Sequence, residues 1–493
     1  MSGLPKGWVE AELGDVCEYV QRGKSPKYID YSELPVINQK CVRWWGIEEQ
    51  HLKYVDPEQW PKWTAERFLR KDDVLWNSTG TGTIGRAALY EGLITSAKAV
   101  VDSHVTVLRP SPSTTGRFIQ RFIQSPDVQS KIADMQSGTT NQVELNRTEI
   151  VNTKLPLPPL AEQKRIVAKL DVLSARSTRA RKDLSRIDTL VTRYKQAVLS
   201  KAFSGELTKD WRNTKRVGLT EAEIAEIARL VDVAAKSRRG ARTGTHQIDL
   251  KRLANIPTSW AKGIVGMASE MLVGFAFKSS WYVENGVKLL RGANIAPGQI
   301  DWDDLKSLAP DKAVEYLKYE LRRDDIVLAM DRPIISTGLK IAQVTEGDEG
   351  CLLVQRVARL RPTAHAIQSY VWWFMNSADF IDHSVSRSTG SDLPHISGDD
   401  ISTCPLPLPP LEEQRDIVRR IESAFQKIDR LAAEAKRALE LTDKLDEAIL
   451  AKAFRGELVP QDPTDEPVSV LLERIKAERA AKPKRGRGQR KKA

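Results

Sequence analysis

The feature that most constrains this chain is an internal repeat with an offset of 251 residues. Leu155–Leu170 matches Leu406–Ile421 at ten of sixteen positions, and Ala197–Leu207 matches Ala448–Leu458 at eight of eleven. Because both matches have the same offset, the stretches between them are equally long although their residues mostly differ. This pattern predicts two copies of one structural unit, with intervening segments whose length matters more than their sequence.

Each fixed-length segment has the pattern of a long helix. The Leu-Pro-Leu-Pro-Pro run that opens it must be extended, because each proline removes a backbone donor. Apolar or small residues then recur at alternating steps of four and three, from Ile166 to Val198 and from Ile417 to Ile449. Heptads without an internal Pro or Gly indicate an unbroken coiled-coil helix of about 44 residues, ~66 Å long. We expect the two helices to pack on each other, because each alone would expose its apolar stripe.

The remaining sequence has short apolar runs broken by turn residues, followed by helical stretches, which is typical of α+β lobes. The predicted fold class is therefore α+β, with two globular lobes separated by two long coiled-coil helices in a pseudo-two-fold internal repeat. The predicted segments are lobes at 1–154 and 256–405, spacer helices at 155–207 and 406–458, a linker with a short helix at 208–255, and a C-terminal extension with a basic tail at 459–493.

Composition limits the class of protein without establishing DNA binding. The net charge is +11, but residues 482–493 carry seven Lys or Arg and no acid, so the rest of the chain is close to balanced. No apolar run is long enough to span a membrane, and the first residues lack a secretory signal. The four scattered cysteines (17, 41, 351 and 404) suit reduced thiols, so we expect a cytoplasmic protein.

The motifs that could indicate catalysis are weak. Asn77–Arg86 contains a GxGxxG pattern, but the residues after it predict a short strand, whereas phosphate binding needs a following helix. We therefore predict a glycine-rich loop between strands. The six histidines lack metal-ligand spacing, and the acidic pairs Asp72-Asp73 and Asp324-Asp325 precede strands, where surface turns usually carry such residues. The chain is predicted to be a binding protein and not an enzyme.

Several loop residues are suited to contact DNA. Arg can pair with guanine and Asn with adenine, whereas Lys mostly meets phosphate. Each residue alone is more readily explained as a surface charge or a core tryptophan, and the set is more suggestive than its members. The candidates are Arg22, Lys24, Lys40, Arg43, Trp44, Trp45, Thr79, Thr81 and Arg86 in the first lobe, and Lys278, Arg291, Asn294, Arg332 and Lys340 in the second.

Leu-Pro-Leu-Pro-Pro-Leu-x-Glu-Gln at 155–163 and 406–414, with Lys-Ala-Phe-x-Gly-Glu-Leu at 201–207 and 452–458, closely resembles the specificity subunits of type I restriction-modification systems. The resemblance implies two target-recognition domains that each read half of a split double-stranded DNA site. It also implies antiparallel helices that set the gap. Two methyltransferase subunits would modify adenine N6 with S-adenosylmethionine, and restriction subunits using ATP and Mg²⁺ could join them. No cofactor is expected in this chain itself.

Two other hypotheses remain open from the sequence. The first is a coiled-coil adaptor that binds protein and never DNA, which would lack specific binding to a split duplex site. The second is a stand-alone enzyme, which would methylate DNA without partner subunits.

Overall fold

The computed structural model describes residues 3–80, 82–137, 143–237, 248–390 and 394–481. The chain divides into two compact units. Unit 1 is Met1–Ser185 with Lys436–Ala493, and unit 2 is Arg186–Ala435. Each unit therefore contains one lobe, the beginning of one spacer helix and the end of the other. Most of the basic linker near 236–242 and the basic tail lie outside the described residues.

The lobe of unit 1 is built on two four-stranded sheets. The main sheet is antiparallel, and its strands in spatial order are Cys17–Arg22, Val105–Pro110, Val74–Asn77 and Ala87–Leu89. The second sheet consists of Val100–Val101, Pro35–Ile37, Lys53–Val55 and Tyr28–Ile29, with the first two strands parallel. Two-stranded pairings join Val9–Glu12 to Lys154–Leu157, Val42–Arg43 to Gly46–Ile47, and Gln136–Ser137 to Glu144–Leu145.

The lobe of unit 2 repeats this topology. Its main sheet consists of Ser269–Val273, Val357–Pro362, Ile326–Ala329 and Ile341–Gln343. Its second sheet consists of Tyr282–Val283, Ser307–Leu308, Val287–Leu290 and Leu352–Leu353. Two-stranded pairings join Ala261–Ile264 to Pro405–Leu408, Ile295–Ala296 to Gln299–Ile300, and Ile334–Ile335 to Gly338–Leu339.

Both faces of each main sheet are covered, which explains why its central strand is a continuous apolar run. In unit 1, Val74 and Trp76 point into the cluster formed with the helices, whereas Leu75 belongs to a separate cluster on the other face. In unit 2, Ile326 and Val327 divide in the same way. Alternation along a strand therefore distributes one apolar run between two cores.

The helices outside the spacers are mostly short. They are Leu13–Val16, Gly116–Ile123, Pro126–Gln129, Arg147–Asn152, Lys209–Lys215, Glu221–Ser237, Val265–Ala268, Pro310–Ala313, Gln368–Met375, Ala378–Arg387, Gly398–Ser402 and Val468–Ala481. The second spacer helix is continuous over Leu411–Phe454. None of the described helices is long and apolar enough to cross a membrane.

The first spacer helix is not unbroken, so that prediction was wrong. It runs over Leu160–Leu184 and Ile187–Phe203, with an interruption at Ser185 and Arg186. The Ser185 hydroxyl donates to the carbonyl of Lys182 at 3.0 Å, and such back-bonding competes with regular helical bonds. The corresponding residue of the second copy is Lys436, whose side chain cannot bond in this way.

The predicted antiparallel pairing of the spacers is present within each unit. In unit 1, Ser177 Oγ donates to Asp446 at 2.6 Å, and Arg181 contacts Asp443 at 2.8 Å. In unit 2, Lys195 Nζ lies 2.6 Å from Asp429. The stripe is less completely buried than we expected. Tyr194, Leu431 and Leu445 belong to the predicted stripe and are exposed, so these positions are not covered by the partner helix.

The repeat extends further than the sequence matches. Gly205 and Gly456 both have positive φ and lie against a proline, Pro257 and Pro5 respectively. Beyond these glycines, the linker and the C-terminal extension make similar backbone bonds to their lobes. Leu219 N, two residues before the linker helix, donates to Ser259 O, and Val468 N, at the start of the C-terminal helix, donates to Gly7 O. The segments that follow the two spacer helices therefore contact corresponding turns of the two lobes.

Candidate nucleic-acid interface

A buried ion pair fixes one end of each main sheet. Arg109 donates to both carboxylate oxygens of Asp73 at 2.8 Å, and Arg361 donates to Asp325 at 2.6 and 2.8 Å. Asp73 and Asp325 are buried, so the prediction that both acids of each pair belong to surface turns was wrong. Two-point pairing of this kind fixes geometry as well as charge. The hydrogen bonds that Arg361 donates to Asp325 raise the pKa of its guanidinium group, which stays charged.

The opposite end of the unit 1 main sheet carries polar side chains. Thr79 Oγ1 lies 2.5 Å from Nδ1 of His104, just beyond two paired strands. Thr79 also forms an isolated backbone bridge with Glu144. Glu144 in turn makes an ion pair with Arg22, which also donates to the carbonyl of Ser103. Thr79 and Arg22, both selected from the sequence, therefore belong to one cluster.

The same end of the unit 2 main sheet carries a charged cluster. Asp331 accepts from Nη1 of Arg356 at 2.9 and 3.2 Å and lies 2.7 Å from Nδ1 of His395. Burial raises the pKa of Asp331, but the hydrogen bonds from Arg356 and His395 outweigh it and bring the pKa below its ordinary value. Arg332 follows in the chain and is exposed. Asp331, Arg356 and His395 were not among our sequence candidates.

The described residues 78–80 and 82–86 lie between the antiparallel strands Val74–Asn77 and Ala87–Leu89 and contain no helix, so the predicted glycine-rich loop is confirmed for them. Gly80, Gly82 and Gly85 have positive φ, and the strand Ala87–Leu89 follows directly. A helix N-terminus that could hold a phosphate is missing at this position. Arg86 is half-buried at the end of the loop, whereas Thr81 lies outside the described residues.

The other candidates of unit 1 occupy different surroundings. Lys24 and Lys40 are exposed, whereas Arg43 is paired with Glu48 at 2.9 Å. Trp44 and Trp45 form a hairpin turn in which Trp45 is 75% exposed. This turn borders a groove of about 810 Å³, which is lined by Trp44, Trp45, Arg117, Arg121, Leu170 and Ile449 among others. The tryptophans thus face the spacer helices of unit 1.

Several candidates of unit 2 hold the lobe together. Asn294 is only 1% exposed and donates to the carbonyls of Asp301 and Asp304, so the expectation that it reads adenine is not supported by its position. Arg291 pairs with Asp304 at 2.6 Å. Lys340 donates to the carbonyl of Gly292, and burial lowers the pKa of its ammonium group.

The last candidate, Lys278, is exposed, with its ammonium group 5.5 Å from the ring centre of Trp281. A cation held over an aromatic face remains accessible to phosphate. The signal that could have located the clustered residues that we missed is the repeat itself. An offset of 252 aligns Thr79 with Asp331 and His104 with Arg356.

Comparison with known proteins adds independent findings. The family model of the type I restriction modification DNA specificity domain matches residues 5–186 and 301–441. The specificity subunit of the type I restriction enzyme EcoKI, from Escherichia coli strain K12, is 27% identical over 500 residues, which cover 97% of each chain. The EcoBI specificity subunit, also from Escherichia coli, is 30% identical over 68% of this chain and 67% of its own.

Solved structures share the fold. The HsdS subunit from Thermoanaerobacter tengcongensis has a TM-score of 0.59 at 20% identity and covers 92% of this chain and 98% of its own. A chain from a study of complex assembly and conformational transition of the type I R-M system has a TM-score of 0.62 at 19% identity, covering 93% and 100%. At this level of identity the likeness concerns the fold alone.

Proposed function

The chain belongs to the type I restriction-modification DNA specificity family, and on this basis we propose that its two units each read one half of a split DNA site. The observation that carries the proposal is the repetition of one lobe with different side chains at the same sheet edge. Two lobes with the same strand order but different side chains at the strand ends are suited to bind two different half-sites. A coiled-coil adaptor that never binds DNA would not need this difference.

We further propose that the spacer helices set the distance between the half-sites. The continuous second helix has 44 residues, about 66 Å at 1.5 Å per residue. Half-sites read from one face of the duplex lie about 34 Å apart, one helical turn. Within each unit, an ion pair holds the two helices side by side: Arg181 with Asp443 in unit 1 and Lys195 with Asp429 in unit 2.

The proposed partners are two methyltransferase subunits that modify adenine N6 with S-adenosylmethionine. Restriction subunits that use ATP and Mg²⁺ are proposed as further members, and the assembled complex is proposed to act in the cytoplasm. Leu441 and Leu445 are exposed on the second spacer helix, and exposed apolar side chains on a helix are suited to a protein interface. In this proposal the chain itself has no catalytic role and holds no cofactor.

Mapping N6-methyladenine across the host genome, with and without this gene, tests the proposal. We expect methylation at one motif with two specific halves and a gap, which disappears when the gene is deleted. Replacing 256–405 with the lobe of a relative should change one half only. Methylation that persists without the gene, or a change in both halves, would contradict the proposal.

The spacer role has a separate test. Lengthening both helices by one heptad each should widen the gap and leave both half-sites unchanged. Lengthening one helix alone serves as the control, because it shifts one helix against the other and should impair assembly. An unchanged gap in the doubly extended protein would refute the role of the helices as a ruler.

A further inference from the structure

Each main sheet has three corresponding positions at the ends of its strands, on the side opposite the buried ion pair. We call this side the edge of the sheet. In both units the first position lies two residues after a central strand, and the second lies immediately before its neighbour. The third forms an isolated backbone bridge with the first. These positions, which we call the edge triad, are Thr79, His104 and Glu144 in unit 1 and Asp331, Arg356 and His395 in unit 2.

The residues that support the sheet are the same in both units, whereas the edge triad differs at every position. Asp73 and Asp325 are equivalent and accept from equivalent arginines. Trp8 and Trp260 are likewise equivalent, and each donates to a glutamate at the start of a spacer helix. Two units that bind different DNA sequences need the same supporting contacts within the sheet and different side chains at its binding edge.

We propose that the edge triad contains the base-reading residues of each unit, and that Arg356 reads a guanine in the half-site of unit 2. This proposal rests on the proposed function and assigns its specificity to particular residues. Two donor groups of an arginine match O6 and N7 of guanine in the major groove.

The contacts of Arg356 are suited to this role. Asp331 engages its Nη1, and among the hydrogen bonds of the described residues none uses Nε or Nη2. The side chain is 60% exposed, so these donors are accessible to a ligand. Asp331 is itself held by His395, which limits the rotation of the carboxylate. An arginine positioned at one end loses less conformational entropy when it binds a base.

The backbone supports the same assignment. Arg356 has φ of 63° and the exposed Arg332, at the same edge, has φ of 43°, both in the left-handed region. A non-glycine residue seldom adopts this conformation, and such residues cluster at ligand sites. The carbonyl of Arg356 accepts from Met330 N at 2.9 Å, which fixes the start of the strand and the direction of the side chain.

The test compares Arg356→Lys and Arg356→Ala with Arg323→Ala in the complete complex with its partner subunits. Arg323 is a matched control, because its side chain is 62% exposed and it precedes the central strand at the opposite end. The preferred sequence is measured by genome-wide methylation and by binding to duplexes with each base changed in turn. Lysine keeps the charge but lacks the rigid planar fork of donors that arginine presents to O6 and N7 of guanine.

We expect Arg356→Lys and Arg356→Ala to lower discrimination at one G·C pair of one half-site about 5- to 150-fold. The other half-site and the result for Arg323→Ala should not change. Equal weakening across all sequences, with a shallower salt dependence, would identify a phosphate contact and overturn the assignment. Unchanged recognition would also overturn it.

The equivalent substitution in unit 1, His104→Ala, should change only the other half-site. If both substitutions alter the same half, the correspondence of the triads is wrong. If the unaltered complex methylates no split motif, the proposed function itself fails, so the two failures are distinguishable.

Discussion

Two equivalent glutamates at the start of the spacer helices allow a sharp test of the electrostatics. Glu413 is fully buried and accepts from Trp260 at 2.8 Å, Thr208 at 2.7 Å and Arg212 at 2.5 Å. In Glu413→Gln, the amide would place a donor toward a partner that is itself a donor. Breaking a buried ion pair costs about 3–5 kcal/mol. Because Gln retains one acceptor, we expect a loss of about 3 kcal/mol in the stability of unit 2.

Glu162 occupies the equivalent place in unit 1 with fewer partners. It accepts from Trp8 at 3.0 Å, and its other oxygen has no hydrogen-bond partner among the described residues. Burial raises the pKa of this carboxyl group. Its contribution to stability is therefore fully present below the unfolded pKa and is lost as pH rises through the folded pKa. At neutral pH, Glu162→Gln keeps an acceptor for the Trp8 bond and removes an ionisable group whose charged form is penalised by burial, so we expect no loss of stability above about 0.5 kcal/mol.

Hydrogen exchange of the full-length chain measures both effects, because the opening free energy is read separately in each unit. The strands Ala261–Ile264 and Val9–Glu12 serve as equivalent reporters. A double-mutant cycle of Glu413→Gln with Arg212→Ala should give a coupling above about 1 kcal/mol. Equal losses for the two glutamates, or additive effects in the cycle, would refute the reasoning.

Three further predictions follow from the helices and the termini. Gly205→Ala and Gly456→Ala should each lower the free energy of unfolding by about 1–2 kcal/mol, because both glycines have positive φ and face a proline. The midpoint of thermal unfolding should fall in both variants, and an unchanged midpoint for either would contradict this. Ser185→Ala should stabilise the interrupted spacer helix by about 0.5 kcal/mol. Hydrogen exchange of the backbone amides at 186–190 should then be slower, and faster exchange would refute the back-bonding explanation. Deleting 482–493 should make DNA affinity less dependent on salt without changing the preferred sequence, and a changed sequence would show that the tail reads bases.

The helices and the lobes that they join could be predicted from the sequence, because the repeated residues contact partners that are also repeated. The motifs at 155–170 and 406–421 correctly predicted the extended lead-in and the helices, and the family resemblance implied that the helices pair in antiparallel fashion. The interruption at Ser185 was not predictable from heptads, because it depends on one hydroxyl bonding to a backbone carbonyl. The backbone bonds of Leu219 and Val468 to their lobes could not be predicted, because a backbone hydrogen bond does not depend on the type of residue.

The DNA-contacting candidates were less predictable, because the type of a residue does not show whether its side chain is free or paired with another side chain. Arg43 and Arg291 were selected as cations, yet each is paired with a carboxylate. Asn294 was selected as an amide and is buried. In contrast, Arg356 lies in a turn without a motif, and the pairing of Ile326–Ala329 with Val357–Pro362 brings it close to Asp331. Its assignment as a base reader stays a prediction.

The junction between lobe and helices explains how the lobes can differ without disturbing the spacers. Phe454 packs on Phe118 and Phe122 in unit 1, and Phe203 packs on Tyr370 and Phe374 in unit 2, so each lobe meets the end of a spacer through an equivalent aromatic cluster. Ring centres lie 5.2–5.4 Å apart in tilted or edge-on contacts. Aromatic pairs of this geometry contribute about 0.5–1.5 kcal/mol beyond burial of area. Because these contacts come from the lobe helices and not from the sheet edge, substitutions in the edge triad leave the junction intact. The residues at the strand ends can therefore change while each lobe keeps its contact with the spacer helices of its own unit.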